Sequence, residues 1–275
     1  MMSQSRVIRV LAKKDLGKVF FGWEFYLTVG VVYAICSFLI RSVFGAMEEG
    51  GIRVASDPLA FPYLVAVLLP MVYISISAVV SVVRERGDGT LQVLFHGPVG
   101  YGGYLAGKFI SELATYAAVA GFILLYFLYM SLTTNLSLSV EFVQVLGASF
   151  LFAACMISLG LFVSSITAGI MRAILLFAVI VLGFSGTELL HRLFVDLSLV
   201  TGSASLGYAR ESMAVVLQIV RWVSPVFYFL RSYDAAHVHS TGIYSWYMAA
   251  SGVYAGIVLV VCRFALQWRG VLAKE

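Results

Sequence analysis

A glycine-rich segment in the first half of the chain nearly fits the pattern of a phosphate-binding loop, GxxxxGK[ST]. It reads Gly102-Gly103-Tyr104-Leu105-Ala106-Gly107-Lys108-Phe109. In such a loop the residue after the lysine supplies the hydroxyl that ligates magnesium, and Phe109 has none. No buried strand precedes the segment, so a backbone cradle for phosphate is not expected. We therefore expect this chain to bind no nucleotide or other cofactor itself.

Two histidines late in the chain, His237 and His239, would bind a metal ion if they shared one face of a strand. Alone, two histidines are more typical of a solvated loop. Cys36, Cys155 and Cys262 lie in apolar runs without CxxC spacing, where a thiol behaves as a small apolar side chain. We expect no metal site, no redox site and no catalytic residue.

A charged, glycine-rich loop joins two long apolar runs at residues 84–103. It begins with three charged residues, and Gly87 and Gly89 then loosen the backbone. Thr90 can cap a short helix that covers about residues 91–95. A simple amphipathic turn fits the same periodicity, so the pattern alone leaves both readings open.

The second half of that loop leads into the next apolar run. Gly97 and Pro98 stop the short helix, and a glycine-rich turn leads to Lys108 at the foot of the run. Glu112 follows Lys108 at the i, i+4 spacing of a helical ion pair, which would anchor that foot. The short helix would then be an exposed apolar and charged knob that a partner protein could grip.

The composition indicates which solvent surrounds these elements. Hydrophobic residues make up 61% of the chain and charged residues 12%, and the mean hydropathy is +0.97. Soluble chains have about 25% charged and about half apolar residues, so this chain has too much apolar surface to bury in water. The composition predicts an integral membrane protein with lipid as its surroundings.

Six apolar runs have the roughly 20 residues that a membrane-spanning helix needs. They cover about residues 25–47, 59–83, 108–131, 142–166, 170–190 and 243–265. Strands of a barrel would alternate polar and apolar residues, whereas these runs are continuously apolar. We therefore expect an all-α, polytopic membrane protein in which residues 1–275 form a single transmembrane domain.

The N-terminal segment, about residues 5–22, precedes the first span. Ile8 and Leu11 fall on one helical face and Arg9 on the other, the pattern of a helix that lies in a membrane interface. We expect an amphipathic elbow helix here; the alternative is a frayed basic tail.

A long segment before the last span, about residues 207–232, is too apolar for a solvated loop. Arg221 and Arg231 interrupt its apolar residues, and Ser224-Pro225 breaks any continuous helix. Irregular backbone at membrane depth survives only where protein or a watery cavity covers it. We expect outer re-entrant helices that enter the membrane without crossing it.

The distribution of basic residues indicates the orientation. Lysine and arginine concentrate in the N-terminal segment, in the loop after the second span and at the C-terminal end, whereas the two short outer loops contain only Arg41 and Arg53. Short basic loops stay on the cytoplasmic side. We expect both termini in the cytoplasm and a place in the cell (inner) membrane. The same rule explains the net charge of +4 without any nucleic acid.

The loop after the second span also resembles the signature of the ABC-2 type (type 2 ABC exporter) permease family, E-R-x-x-G-T-L-x-x-L-x-x-x-P followed by Y-L-x-G-K. The matching residues are Glu85, Arg86, Gly89, Thr90, Leu91, Leu94, Pro98, Tyr104, Leu105, Gly107 and Lys108. Residues 159–165 resemble the small-residue turn after the fourth span of that family. Glycines stand at 100, 102 and 103, where relatives more often have polar or charged residues.

The resemblance implies a permease subunit with a cytoplasmic coupling helix. Such a permease pairs with a second copy or a related permease and with two cytoplasmic ATPase subunits, which bind ATP and magnesium. The residues implied to contact the ATPase are Glu85, Arg86, Gly89, Thr90, Leu91, Leu94, Pro98 and Lys108. The implied activity is export of an amphipathic or lipid-like substrate between the two permeases; the sequence does not indicate which residues bind it.

Two other classes of protein remain as alternatives. A secondary transporter or channel subunit without an ATPase is favoured by inverted repeats or by charges deep in the spans. A membrane-embedded enzyme needs histidine, aspartate, glutamate or cysteine at catalytic spacing within the spans. We find neither pattern in the sequence.

Overall fold

The computed structural model describes residues 4–50, 59–96, 100–134, 140–201, 218, 220–238 and 240–269, and these residues form helices joined by short turns. We number the helices along the chain. They are α1 (Gln4–Phe21), α2 (Trp23–Gly50), α3 (Ala60–Gly87), α4 (Thr90–His96), α5 (Tyr101–Thr134), α6 (Val140–Ile166), α7 (Ile170–Thr201), α8 (Pro225–His237) and α9 (Thr241–Arg269).

Six of these helices are long and apolar enough to cross a membrane. The candidate spans are Trp23–Gly45, Phe61–Gly87, Tyr101–Thr134, Glu141–Ile166, Ile170–Thr187 and Thr241–Trp268. The prediction of an all-α, polytopic membrane protein with six spans is therefore confirmed.

The third span begins earlier than the sequence suggested. The predicted glycine-rich turn before Lys108 is wrong from Tyr101 onward, because α5 already begins there. Glycine weakens an isolated helix by about 1 kcal/mol, but packing offsets this cost. A Cβ atom at Gly107 would lie 3.1 Å from the Cβ of Leu11, so the missing side chain lets α1 and α5 approach closely.

Helix α6 occupies the centre of the bundle, packed against α3, α8 and α9. Its contact with α3 is close at Gly160, where an added Cβ would lie 2.9 Å from the carbonyl oxygen of Ser75 and 3.2 Å from Val79 Cγ2. Most of the candidate span in α6 is buried, whereas little of the candidate span Ile170–Thr187 in α7 is. The core is thus built around α6, and α7 packs at its edge.

The predicted elbow segment forms α1. Leu11 and Ala12 are buried, whereas Val10 is exposed, so α1 presents one apolar face to the bundle. Because this face packs on α5, α1 is joined to the foot of the third span. That α1 lies in a membrane interface stays a prediction.

The predicted outer segment is described only in part, since residues 207–217 and 219 lie outside the described residues. Residues 220–223 are helical, and Ser224 ends this stretch. The Ser224 hydroxyl accepts a hydrogen bond from the Phe227 amide, 3.4 Å away, and Pro225 begins α8. With 13 residues, α8 is shorter than the roughly 20 that a span requires. Its re-entrant placement stays a prediction.

Candidate functional site

The loop after α3 turns sharply before α4. Gly89 has φ +71°, a left-handed conformation that glycine adopts at little cost. The amide of Asp88 donates to the Arg84 carbonyl at 2.9 Å, and the Gly89 amide donates to the Arg86 carbonyl at 3.2 Å. These bonds close the end of α3 and direct the chain into α4.

A buried ion network joins this turn to two other helices. Lys108 on α5, which is 6% exposed, places its Nζ 2.6 Å from Glu85 Oε1 and 2.8 Å from Asp15 Oδ2. Tyr104, one turn earlier on α5, donates its hydroxyl to Glu85 Oε2 at 2.6 Å. A buried ammonium needs such partners, because burial strips it of water. The network therefore ties α1, the end of α3 and the foot of α5 into one unit.

Arg86 joins the same turn to the end of α6. Its guanidinium donates to the carbonyl oxygens of Ser165, 3.1 Å away, and Thr167, 3.0 Å away. Carbonyls at a helix C-terminus lack helical partners and carry partial negative charge, so a guanidinium suits them. The amide of Val83 also donates to Ser164 Oγ at 3.1 Å. The end of α3 is thus fixed to α6 by both backbone and side chain.

Helix α4 has one buried and one exposed side. Leu91 is buried, and Phe95 contacts the ring of Tyr101 with centroids 4.4 Å apart. Thr90 begins the helix rather than preceding it as an N-cap, and its hydroxyl donates to the Glu85 carbonyl at 3.0 Å. On the other side, Val93 is 76% exposed. We call Gln92, Val93 and His96, all exposed, the outer face of α4.

The structure brings most of the sequence-predicted site residues together. Several of them contact other residues of this chain, whereas the sequence predicted contacts with a partner protein. Glu85, Arg86 and Leu91 are engaged within the chain, and Lys108 is buried beside Glu85. Thr90 is exposed, and Gly89 and Leu94 are partly buried. Pro98 lies outside the described residues. That these residues contact an ATPase stays a prediction.

Several residues of this site were missed by sequence reasoning. Lys108 was expected to pair with Glu112, but in the described part of the chain it pairs with Asp15 and Glu85. Glu112 instead accepts a hydrogen bond from Ser77 Oγ at 3.1 Å. Tyr104 is one of the residues that match the family motif, so the sequence did indicate that its position matters. Nothing in the sequence indicated Asp15, since its ion pair with Lys108 depends on how α1 packs against α5.

The histidine segment forms a different contact. Nδ1 of His237 lies 2.8 Å from Glu141 Oε2 at the start of α6, and His239 lies outside the described residues. Tyr233 sets its ring edge-on to His237 at 4.5 Å. Within the described ranges, no three histidine, cysteine, aspartate or glutamate residues form a group that could hold a metal ion.

Comparison with known proteins adds one finding. The sequence model of the family described as "ABC-2 family transporter protein" matches residues 10–266, which is nearly the whole chain. No curated protein matches the sequence. The family match covers α1 from Val10 onward, the loop after α3 and the six candidate spans up to the last turn of α9.

Proposed function

The chain belongs to the ABC-2 transporter family, and from this premise we propose that it is the permease subunit of an ATP-driven exporter whose ATPase is a separate cytoplasmic protein. The observation that carries the proposal is α4, an exposed short helix whose base is tied to four longer helices. ATP and magnesium are bound by the ATPase partner in this proposal, not by the permease.

The contacts around α4 suit a part that transmits motion. A push on α4 is passed to α3 through the turn at Gly89, to α1 and α5 through Lys108, and to α6 through Arg86. Rigid elements with charge-assisted bonds transmit displacement better than a mobile loop does. Closure of an ATPase pair could in this way move the spans that line a transport path.

The outer face of α4 is the surface that we propose docks on the ATPase. An exposed valine flanked by polar residues offers apolar area that a partner's surface can bury. Glu85, Arg86 and Leu91 then act behind this surface, holding α4 in place, and not as direct contacts. This assignment refines the contact set implied by the resemblance, because those three side chains are already engaged within the permease.

The location, orientation, second permease and substrate class in the proposal follow from the apolar composition of the chain and from its basic loops. The permease lies in the inner membrane with both termini cytoplasmic, so α4 faces the ATPase. A second permease, identical or related, covers part of the apolar surface that a single copy leaves exposed. The exported substrate is amphipathic or lipid-like, since a path between apolar helices suits such molecules.

The experiment compares two valines of equal exposure. Val93 on α4 is 76% exposed and Val238 after α8 is 77% exposed. The chain is coexpressed with any ATPase subunit that is encoded beside its gene, and copurification and ATP hydrolysis in proteoliposomes are measured. We expect Val93→Asp to abolish copurification and Val238→Asp to preserve it. Equal binding by both variants contradicts the docking surface, and failure of the unmodified chain to bind any such ATPase contradicts the proposed function.

A further inference from the structure

A cavity of about 660 Å³ lies between α1, α3 and α5, beside the ion network. A smaller cavity of about 220 Å³ adjoins it toward the start of α2. The two cavities have six lining residues in common, so they adjoin along a shared wall, and together we call them the space. The shared residues are Lys18, Val19, Glu24, Tyr73, Ser77 and Glu112. The role proposed for α4 uses none of these six residues.

Glu112 is a buried carboxylate without a cation of its own. The residue is 9% exposed and lines both cavities. Its Oε1 accepts a hydrogen bond from Ser77, whereas Lys108, one turn earlier on α5, is held by Asp15 and Glu85. No basic side chain in the described ranges forms an ion pair with Glu112. A buried carboxylate with one hydrogen-bond donor and no cation is costly to ionise, and a cationic group in the cavity beside it would offset that cost.

Glu24 places a second carboxylate at the same cavity wall. Its Oε2 accepts a hydrogen bond from the Tyr73 hydroxyl at 3.0 Å. Tyr73 and Ser77 stand one turn apart on α3, so the two carboxylates are held by neighbouring positions about 6 Å apart along the helix. Tyr73 and Ser77 thus hold two acceptors side by side at the end of the space farther from α4, which we call the deep end.

The end of the space nearer α4 has cations. Lys14 and Arg84 line it and are exposed. Asp88 adds a carboxylate, and Asp15 and Glu85 line it as well but are paired with Lys108. Arg84 follows Ser77 by about 10 Å along α3, so the cations and the two acceptors are separated in depth. Lys18 lines both cavities and places a cation between the two ends. A ligand that fits has a positive group at the deep end and a negative group nearer α4.

Apolar residues continue from this charged space. Leu11, Val19 and Val80 line its walls, and Trp23 lines the smaller cavity at the start of α2. Further along α2, Leu27 is 52% exposed and gives an acyl chain an apolar surface to follow. This apolar continuation suits a lipid better than a soluble zwitterion.

We propose that this space binds a phospholipid whose headgroup has a primary ammonium and a phosphate. The ammonium lies between Glu24 and Glu112, and the phosphate faces Lys14, Lys18 and Arg84. A primary ammonium donates hydrogen bonds to carboxylates, which a quaternary ammonium cannot do. Phosphatidylethanolamine has this chemistry, whereas phosphatidylcholine and phosphatidylglycerol each lack one part of it. The proposal requires neither the ATPase nor a direction of transport.

The test titrates short-chain phosphatidylethanolamine, phosphatidylcholine and phosphatidylglycerol into the purified full-length chain in detergent, with bound lipid counted by native mass spectrometry. We expect phosphatidylethanolamine to bind most tightly. Glu24→Gln and Glu112→Gln are each expected to weaken it by about tenfold, since each removes one charge-assisted contact. The matched control is Glu141→Gln. Glu141 lies at the start of α6 and lines neither cavity, so this variant should bind the lipid as the unmodified chain does.

Three results overturn the proposal. One is equal affinity of the unmodified chain for all three lipids. Another is an ethanolamine preference that survives in both Glu24→Gln and Glu112→Gln. A third is that free phosphoethanolamine binds as tightly as the lipid, which would assign the space to a soluble zwitterion. Glu24 is exposed, so Glu24→Gln should fold and keeps the test decisive even if Glu112→Gln does not. Because no ATPase is present, failure here is distinct from failure of the proposed function.

Discussion

The ammonium nitrogen of Lys108 lies 2.6 Å from a carboxylate oxygen of Glu85, and this contact joins the foot of α5 to the end of α3. Asp15 approaches the same nitrogen to 2.8 Å from α1. One buried cation therefore holds three helices together at the base of α4. The stability of this region depends on charge balance, because two carboxylates share one lysine.

Removing that cation should destabilise the chain. Lys108→Met leaves Asp15 and Glu85 as neighbouring like charges, and breaking a buried ion pair on one side costs about 3 kcal/mol. We expect a lower denaturation midpoint for the purified variant in detergent. Adding Asp15→Asn and Glu85→Gln to Lys108→Met removes the uncompensated charges and should restore much of the loss. If Lys108→Met is as stable as the unmodified chain, the network contributes nothing to folding.

The spans could be predicted from sequence because a bilayer of fixed thickness demands about 20 apolar residues wherever a helix crosses it. The i, i+4 rule predicted the wrong partner for Lys108, since it describes an isolated helix and not one packed against α1. The approach of α1 depends on Gly107 and Leu11, which are distant in sequence.

The contacts of Arg86 were also not predictable from sequence, and the reason is a different one. Its acceptors are backbone carbonyls of Ser165 and Thr167, and every residue type has a carbonyl. The charged cluster therefore suggested an outward-facing arginine. Val93 is not one of the matched motif residues, which include Leu91 and Leu94, and only packing reveals which apolar side chains of α4 remain exposed.

A close contact between two helices gives a second prediction. At Gly160 an added methyl group would meet the Ser75 carbonyl at 2.9 Å, and backbone cannot move aside as a side chain can. We expect Gly160→Ala to destabilise the chain by about 1–3 kcal/mol through overpacking. At Gly183 on α7, nothing lies within 4 Å of the added atom, so Gly183→Ala should be neutral or stabilise by up to about 1 kcal/mol.

Denaturation midpoints of the two alanine variants, measured in the same detergent, check this prediction. Both substitutions raise intrinsic helix propensity by the same amount, so the difference between them reports packing alone. Equal midpoints for Gly160→Ala and Gly183→Ala would contradict the close packing of α3 on α6.

The contacts of Arg86 with the end of α6 allow docking on the ATPase and coupling to transport to be tested separately. Arg86 bonds two carbonyls at the end of α6 through two nitrogens of one planar group, and a lysine has a single nitrogen with no such fork. In Arg86→Lys the positive charge remains, but at least one of the two hydrogen bonds that join the end of α3 to the end of α6 is lost. We expect the variant to copurify with the ATPase as the unmodified chain does, because the outer face of α4 is unchanged.

Coupled transport should fall in that variant. Loss of a charge-assisted hydrogen bond is worth about 1.5–3 kcal/mol, which corresponds to roughly a tenfold or greater decrease in substrate export at unchanged ATPase binding. Export into proteoliposomes and copurification, measured on the same preparation, separate the two effects. Arg231→Lys on α8, far from α4 in the chain, is the matched control and should leave both unchanged. If Arg86→Lys exports at the normal rate, motion does not pass from α4 to α6 through this guanidinium; if it loses ATPase binding instead, Arg86 belongs to the docking surface.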